Sequence, residues 1–360
     1  MSRPTHLTID LQALCDNAMT LKGLAMPRST MAVVKADAYG HGAVPCARAL
    51  APLVDAFAVA ITEEAMELRD AGIELPILVL QGPHSADDAQ LMASASLWPA
   101  ISNEHQIDWV EQLDAQFEQV WIKCDTGMHR LGFMPDEIVF ARSRLEPYSA
   151  RDTVLMSHFA DAEAPSSALT EKQLTRWEQV NDTSPAGSFS NSAATTGQIA
   201  AQENWTRLGY SLYGGSLVAL PDGYSLKPVM HFESHIASVR WIEAGESVGY
   251  GGRWVASRRS CIATIPAGYG DGYPRGACDG TPIGTQHGTV PLAGKVSMDM
   301  ITADITSAPA LGIGSPVTLW GSAPCIDQLA RHCDTIGYEL CTRMTNRTPR
   351  QFHRVMGDRD

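Results

Sequence analysis

Residues 31–42 read Met31-Ala32-Val33-Val34-Lys35-Ala36-Asp37-Ala38-Tyr39-Gly40-His41-Gly42. The first four form a short apolar run of the kind that makes a buried strand. Lys35 closes that run. A lysine there either reaches solvent along its own stem or has its amine desolvated. Desolvation lowers the pKa and leaves a neutral nucleophile. The residues that follow, with Asp37, Tyr39, Gly40 and His41, read as a polar, flexible loop. Strand, terminal lysine and polar loop together place Lys35 at the C-terminal end of a barrel strand, the functional face of that fold.

Outward from this stretch, apolar runs recur at 57–61, 77–80, 97–101, 120–123, 153–157, 187–190 and 205–208. Amphipathic or acidic stretches separate them. One is 62–72, with Thr62 as cap, an acidic first turn and Gly72 as stop. With the run at 31–35 there are eight strand candidates, a rhythm that favours a (β/α)8 TIM-type barrel over an open doubly wound sheet. A strand-like HLTIDL and a helical segment at 12–24 precede the first of them. After about residue 227 the texture changes to short apolar runs between Gly, Pro and Asp turns, with one clear helix at 326–332. The expected organisation is a barrel over residues 1–228 and a C-terminal β-rich domain over 229–360.

Composition narrows the function. The chain of 360 residues carries a formal net charge of -13, which argues against a nucleic-acid or anionic-membrane surface and favours a soluble protein handling small molecules. A hydrophobic content of 44% with 19% charged residues is that of a globular protein rather than a disordered one. The eight cysteines are scattered, without a CxxC pair or zinc-type spacing, so neither a disulfide framework nor a metal site is expected. The N-terminus lacks the unbroken apolar stretch of an export signal, and no segment approaches transmembrane length. A cytoplasmic location is the expectation.

Polar residues gather just after the strand candidates. Lys35 follows the first. Lys123, Asp125, Thr126 and Arg130 follow the fifth, and His158 the sixth. Ser190–Gly197, SNSAATTG, follows the seventh and contains Asn191 and Ser192. Arg207, Gly209 and Tyr210 end the eighth. Clusters in register on one barrel face mark a shared site. Hydroxyl side chains at a helix start offer N–H groups to an anion. Beside the 207–210 segment they match the phosphate seat common in barrels.

The motifs AVVKADAYGHG, DTGMHRLGF, SHFADAE, SNSAA, RLGYSLYGG, VGYGG, GYGDGYPR, GKVSMD and GYEL occur in that order over residues 31–340. In this the chain resembles the alanine racemases. The resemblance implies a pyridoxal 5′-phosphate enzyme, a homodimer with active sites shared between subunits, and interconversion of L- and D-alanine by two bases. It implies that Lys35 holds the cofactor as an internal aldimine and serves as one base, with Tyr250 as the other. Tyr39, Tyr338, Asn191, Ser192, Gly209 and Tyr210 would surround the phosphate, His158 would lie against the pyridine ring, and Arg207 would face its nitrogen. Arg130 would meet the cofactor and the substrate carboxylate, joined by Tyr269 and Met298. Lys123 would be the lysine that many members carry as a carbamate. Departures from the family pattern are His129, Gly270 and Ser297, where glycine, alanine and cysteine are frequent. The alternatives are a broader-specificity amino-acid racemase and a basic amino-acid decarboxylase of the same architecture. The latter usually has a carboxylate where Arg207 stands and a cysteine where Tyr250 stands.

Overall fold

The computed structural model describes residues 3–113, 115–181, 186–199 and 203–353. The chain divides into two compact units. One comprises Leu14–Ala38 and Gly42–Leu226; the other comprises Met1–Ala13, Tyr39–His41 and Lys227–Asp360.

Strand β1, His6–Asp10, comes first in the chain. The first unit then holds β2 Ser29–Val33, β3 Ala56–Val59, β4 Ile77–Val79, β5 Trp98–Ile101, β6 Trp121–Lys123, β7 Val154–Met156, β8 Gly187–Ser188 and β9 Trp205–Leu208. These eight pair in sequence order, and β9 closes on β2. Every pairing is parallel, as with Met31 opposite both Ala56 and Arg207. Every residue of β3, β4, β5 and β7 is buried, because the barrel interior covers one face and the helices the other. This is why the sequence shows continuous apolar runs rather than alternation. Each expected run became a strand; 205–208 kept its bounds and the other seven are shifted or shortened at their ends. The first ends at Val33, so Lys35 stands two residues beyond it.

Helices alternate with these strands. Ser85 caps Ala86–Ser94 by accepting from the Asp88 N–H, and Asn103 caps Glu104–Glu111 by accepting from the Gln106 N–H. The helix Thr62–Asp70 differs from expectation. Thr62 is its first residue rather than its cap, and Ile61 before it supplies no capping side chain.

The second unit corrects the expected boundary at its N-terminal end. The expectation put residues 1–228 together as the barrel, but β1 pairs antiparallel with β10, Met230–His235, with Leu7 opposite Phe232. On its other side β1 runs parallel to the last strand, Arg350–His353. Its backbone groups are thus satisfied on both edges by C-terminal strands, which the local pattern of HLTIDL could not reveal. The six-stranded sheet they share is covered by a core in which Phe232 meets Trp320 edge-on, with centroids 4.7 Å apart. A three-stranded sheet is built from Ser238–Ile242, Ser260–Ile265 and Ile301–Asp304, and a hairpin from Ser247–Val248 and Trp254–Val255. The expected helix forms at Ile326–His332; a further one, Gly337–Thr342, carries Tyr338. Among the described residues no helix is long and apolar enough to cross a membrane.

Candidate active site

The backbone after Lys35 is not a flexible loop. Ala36, Asp37, Ala38 and Tyr39 have φ of 52, 55, 52 and 54°, and Gly40 follows at 78°. Residues Lys35–Gly40 make one helical turn of left hand. For an L-residue this conformation costs about 1–2 kcal/mol each. The turn is held by Ala38 N–H to the Val34 carbonyl and by Gly42 N–H to the Asp37 carbonyl, both 2.9 Å. The Asp37 carboxylate accepts the Ala43 N–H at 2.8 Å, and Glu64 accepts the Ala36 N–H at 2.7 Å. Lys35 emerges at the start of this turn. Burial lowers its pKa, with further lowering by Arg130 and Arg207 and opposition from Glu64. Its Nζ makes no hydrogen bond among the described residues.

Arg207 lies at the end of β9 and is buried. Its Nη1 donates to the Ser188 carbonyl at 3.0 Å and to the Ser188 hydroxyl. Its Nη2 reaches the carbonyls of Ser157 at 2.6 Å and Phe189 at 3.3 Å, and His158 Nδ1 at 3.2 Å. Burial pulls the guanidinium down to about 10, partly offset by Glu203, so it stays charged at neutral pH. A guanidinium can only donate, so His158 Nδ1 is the acceptor and the ring proton sits on Nε2. Burial, then Arg207, Lys123, Arg130 and Lys35, hold the His158 pKa well below its ordinary value. His158 is therefore a neutral ring hydrogen-bonded to charged Arg207. Gln173 fixes its backbone by donating to the His158 carbonyl at 3.0 Å and accepting from the Ala160 N–H at 2.8 Å.

Beyond β6 the chain folds back on itself. Phe133 N–H donates to the Lys123 carbonyl at 2.9 Å, and Asp125 N–H to the Phe133 carbonyl at 2.8 Å. Gly132, at φ 122°, permits this return, since a Cβ there would lie 2.8 Å from the Asp125 nitrogen. Asp125 is spent on the loop itself: it accepts the N–H groups of Gly127 and His129 and pairs with the His129 ring at 3.1 Å. Arg130 is left exposed at the loop tip with no ion pair to Asp125 or Asp136 among the described residues. Burial, and then Arg207, bring the Lys123 amine down to about 7.

The hydroxyl-rich stretch after β8 is partly committed to itself. The Asn191 side chain caps Ser192–Thr196 by accepting the Ala194 N–H at 3.0 Å. Ser192 Oγ accepts the Gly209 N–H at 2.8 Å, which joins the ends of β8 and β9. Tyr210 is buried.

The remaining sequence-derived residues lie in the second unit. Tyr39 and Tyr338 set their rings 6.0 Å apart, and burial raises the Tyr39 pKa. Gly40 allows the approach of the Tyr338 helix, because a Cβ would lie 2.1 Å from the Cys341 carbonyl oxygen. Tyr250, at the tip of the small hairpin, is 72% exposed, so it is not an aromatic packed into a glycine turn. Tyr269 and Met298 join it along a cleft of about 620 Å³ that also presents Arg275 and Lys295. Met298 is 51% exposed rather than a core methionine. Its turn is stitched to that of Tyr269 by Tyr269 N–H to Ser297 O at 3.1 Å and Gly270 N–H to Met298 O at 2.8 Å. Sequence reading missed Glu64, Gln173 and Glu203. Glu203 accepts the Phe189 and Ser190 N–H groups at 2.5 and 2.7 Å. Such residues carry little signal in isolation, because, apart from the Ala60 N–H bound by Glu64, these backbone partners lie 13 or more residues away.

Residues 9–217 match the family model described as alanine racemase, N-terminal domain, and residues 229–352 match the C-terminal domain. The chain belongs to the alanine racemase family. The alanine racemase of Chromohalobacter salexigens is 46% identical over 98% of both chains, and that of Alteromonas mediterranea 42% identical over 97% of this chain and 99% of the other. Among solved structures, the biosynthetic alanine racemase from Pseudomonas aeruginosa superposes with a TM-score of 0.93 at 40% identity, covering 98% of this chain and all of that one (100%). Alanine racemases are isomerases dependent on pyridoxal 5′-phosphate.

The depressed pKa of His158 has a measurable consequence. Below the ordinary value of 6.5 the unfolded chain takes up a proton at this ring and the folded chain does not. Stability from His158 is therefore complete above that pH and falls as pH drops toward the folded-state pKa, by up to about 1.4 kcal/mol per pH unit. Urea unfolding between pH 7 and pH 5 is expected to show a shallower pH slope in His158→Asn than in the wild type. Equal slopes would show that the ring is protonated in the folded protein.

Proposed function

We propose that this racemase uses Lys35 and Tyr250 as its two bases, one for each face of alanine, with the barrel side chains described above holding the cofactor. The observation that carries this reading is the donor set around Lys35. A desolvated amine, a neutral histidine and a buried, still-charged arginine share one set of strand ends. That set suits the cofactor: an uncharged amine can bond to its aldehyde, and Arg207 Nε, which makes no hydrogen bond among the described residues, is a donor for its ring nitrogen. Ser192, the Gly209 and Tyr210 backbone and the phenols of Tyr39 and Tyr338 are assigned to its phosphate. Asn191 is assigned to that seat as its helix cap.

When bound, pyridoxal 5′-phosphate acidifies the α-hydrogen of the amino acid attached to it. The residues do the rest. Arg130 binds the substrate carboxylate, with Met298 N–H and Tyr269 beside it. Lys35 takes or returns the α-proton on one face and Tyr250 on the other, since one base would have to cross the substrate plane. Arg207 keeps its charge and disfavours a proton on the ring nitrogen that it would face, so the proton returns to Cα. This favours racemisation over transamination. Lys123, with a pKa of about 7, is substantially neutral at physiological pH, as carbamate formation requires. Its carbamate would be the anion that orients Arg130. We assign the protein to the cytoplasm, making D-alanine for peptidoglycan or taking part in alanine catabolism. We also assign it to a homodimer in which one subunit's β-rich unit gives Tyr250 to the other's barrel. The exposed Tyr250, Tyr269, Met298 and Met300 support that assignment.

Three measurements test these assignments. Tyr250→Phe is expected to suppress α-proton exchange from L-alanine far more than from D-alanine, by about 10²–10⁴-fold; equal losses for both enantiomers would defeat the two-base assignment. Electron density from crystals grown with bicarbonate should show extra atoms on Lys123 Nζ, and a bare amine would refute the carbamate. Mixing inactive Lys35→Ala with inactive Tyr250→Phe under confirmed subunit exchange should restore activity, and no recovery would rule out shared sites.

A further inference from the structure

Glu64 has no role in the chemistry above, yet its carboxylate joins two loops of the barrel. It stands in the first turn of the helix Thr62–Asp70. Its Oε1 accepts the Ala36 N–H and its Oε2 the Ala60 N–H, each at 2.7 Å. Ala36 follows Lys35 and is the first residue of the left-handed turn; Ala60 directly follows β3. Strands β2 and β3 are neighbours, with Val33 opposite Ala58. One side chain therefore ties two adjacent strand ends together where the backbone enters its strained conformation. A run of positive φ in L-residues persists only where the surroundings over-determine it. Asp37 holds the far end of the turn and Glu64 the near end. Two N–H groups from different loops need two acceptors and no donor, which a carboxylate supplies and an amide does not.

We propose that Glu64 is a positioning residue for Lys35: by holding the Ala36 and Ala60 N–H groups it fixes the start of the left-handed turn, and with it the direction in which the Lys35 side chain leaves the backbone. The inference rests on the reading of Lys35 as the cofactor-bearing base. Charge adds to geometry. Of the charged groups around the Lys35 amine, Arg130 and Arg207 favour its neutral form and Glu64 its ammonium form.

The test compares full-length wild type, Glu64→Gln, Glu64→Asp and Lys35→Ala. Glutamine turns an NH2 toward one of the two N–H groups; aspartate keeps both acceptors on a shorter arm. Acetylation of Lys35 as a function of pH is read by peptide mapping in the cofactor-free chain, in buffer free of bicarbonate and carbon dioxide so that Lys123 is a free amine and serves as internal reference. In Glu64→Gln the Lys35 midpoint is expected to fall while that of Lys123 holds, and amide exchange over residues 35–40 to accelerate. In the cofactor-loaded enzyme kcat should fall about 10- to 100-fold with KM for alanine changing less, as misplacement of a reacting group predicts. Glu64→Asp should lie between the two in every readout. Unchanged Lys35 acetylation and exchange would overturn the proposal, as would equal shifts at Lys35 and Lys123, which mean general loosening. Racemase activity in Lys35→Ala would sink the reading of Lys35 while leaving the exchange result standing.

Discussion

A single buried cation governs the barrel site. Arg207 sits at the end of β9 and donates to the carbonyls of Ser157, Ser188 and Phe189 and to the His158 ring. Desolvating a guanidinium is expensive, by several kcal/mol, and the burial is tolerable only because fixed carbonyl dipoles replace its water. Those carbonyls belong to residues at the ends of β7 and β8, so the closed barrel is what brings them into one place. Its charge in turn lowers the pKa of Lys35, Lys123 and His158. Burial is the larger cause of each shift, and the Arg207 charge adds to it, so that all three lowered pKa values favour the uncharged form.

A second constraint is mechanical. The chain leaves β2 through a left-handed turn in four successive non-glycine residues. Such a conformation is not chosen by these residues' own preferences. It is imposed by side chains from the neighbouring strand's helix and from within the turn. The polar groups that impose it, Glu64 and Asp37, bond to backbone rather than to each other. Glu203 does the same for the segment after β8, where Arg28 neutralises it at 2.6 Å. Carboxylates, from exposed Asp37 through half-buried Glu64 to the buried side chain of Glu203, serve here as clamps on irregular backbone, whose N–H groups regular secondary structure does not satisfy.

In the β-rich unit the exposed residues carry the information. Tyr250, Tyr269 and Met298 stand on turns and not in the core, on a cleft rimmed by Arg275 and Lys295. The turns bearing Tyr269 and Met298 are rigid by backbone bonding. Arg347 reinforces them by pairing with buried Asp271 at 3.2 Å and with Asp299 at 2.5 Å. Gly270, where the family often has alanine, leaves room for this: a Cβ there would lie 2.8 Å from Arg347 Nη1.

The sequence by itself determined the barrel, because eight apolar runs buried on both faces leave a signal that needs no partner to be read. It also placed Lys123 and Arg207 at the ends of their strands and Lys35 and His158 just beyond theirs, since strand ends are local features. The Tyr39–Tyr338 pair and the family came from motifs alone. Tertiary structure alone decided the rest. That β1 belongs to the C-terminal sheet depends on hydrogen-bond partners more than 200 residues away. The left-handed turn after Lys35 reads as a polar loop because alanine and tyrosine disfavour it and aspartate visits it only as a single residue; contacts from Glu64, Asp37 and the surrounding backbone hold four such residues in a row. Glu64 itself reads as half of an acidic first turn with Glu63, a commonplace at helix starts. The Ala60 N–H is only four residues from Glu64, but the Ala36 N–H, 28 residues away, comes within reach only once β2 and β3 lie side by side, and no local pattern encodes a partner that folding brings.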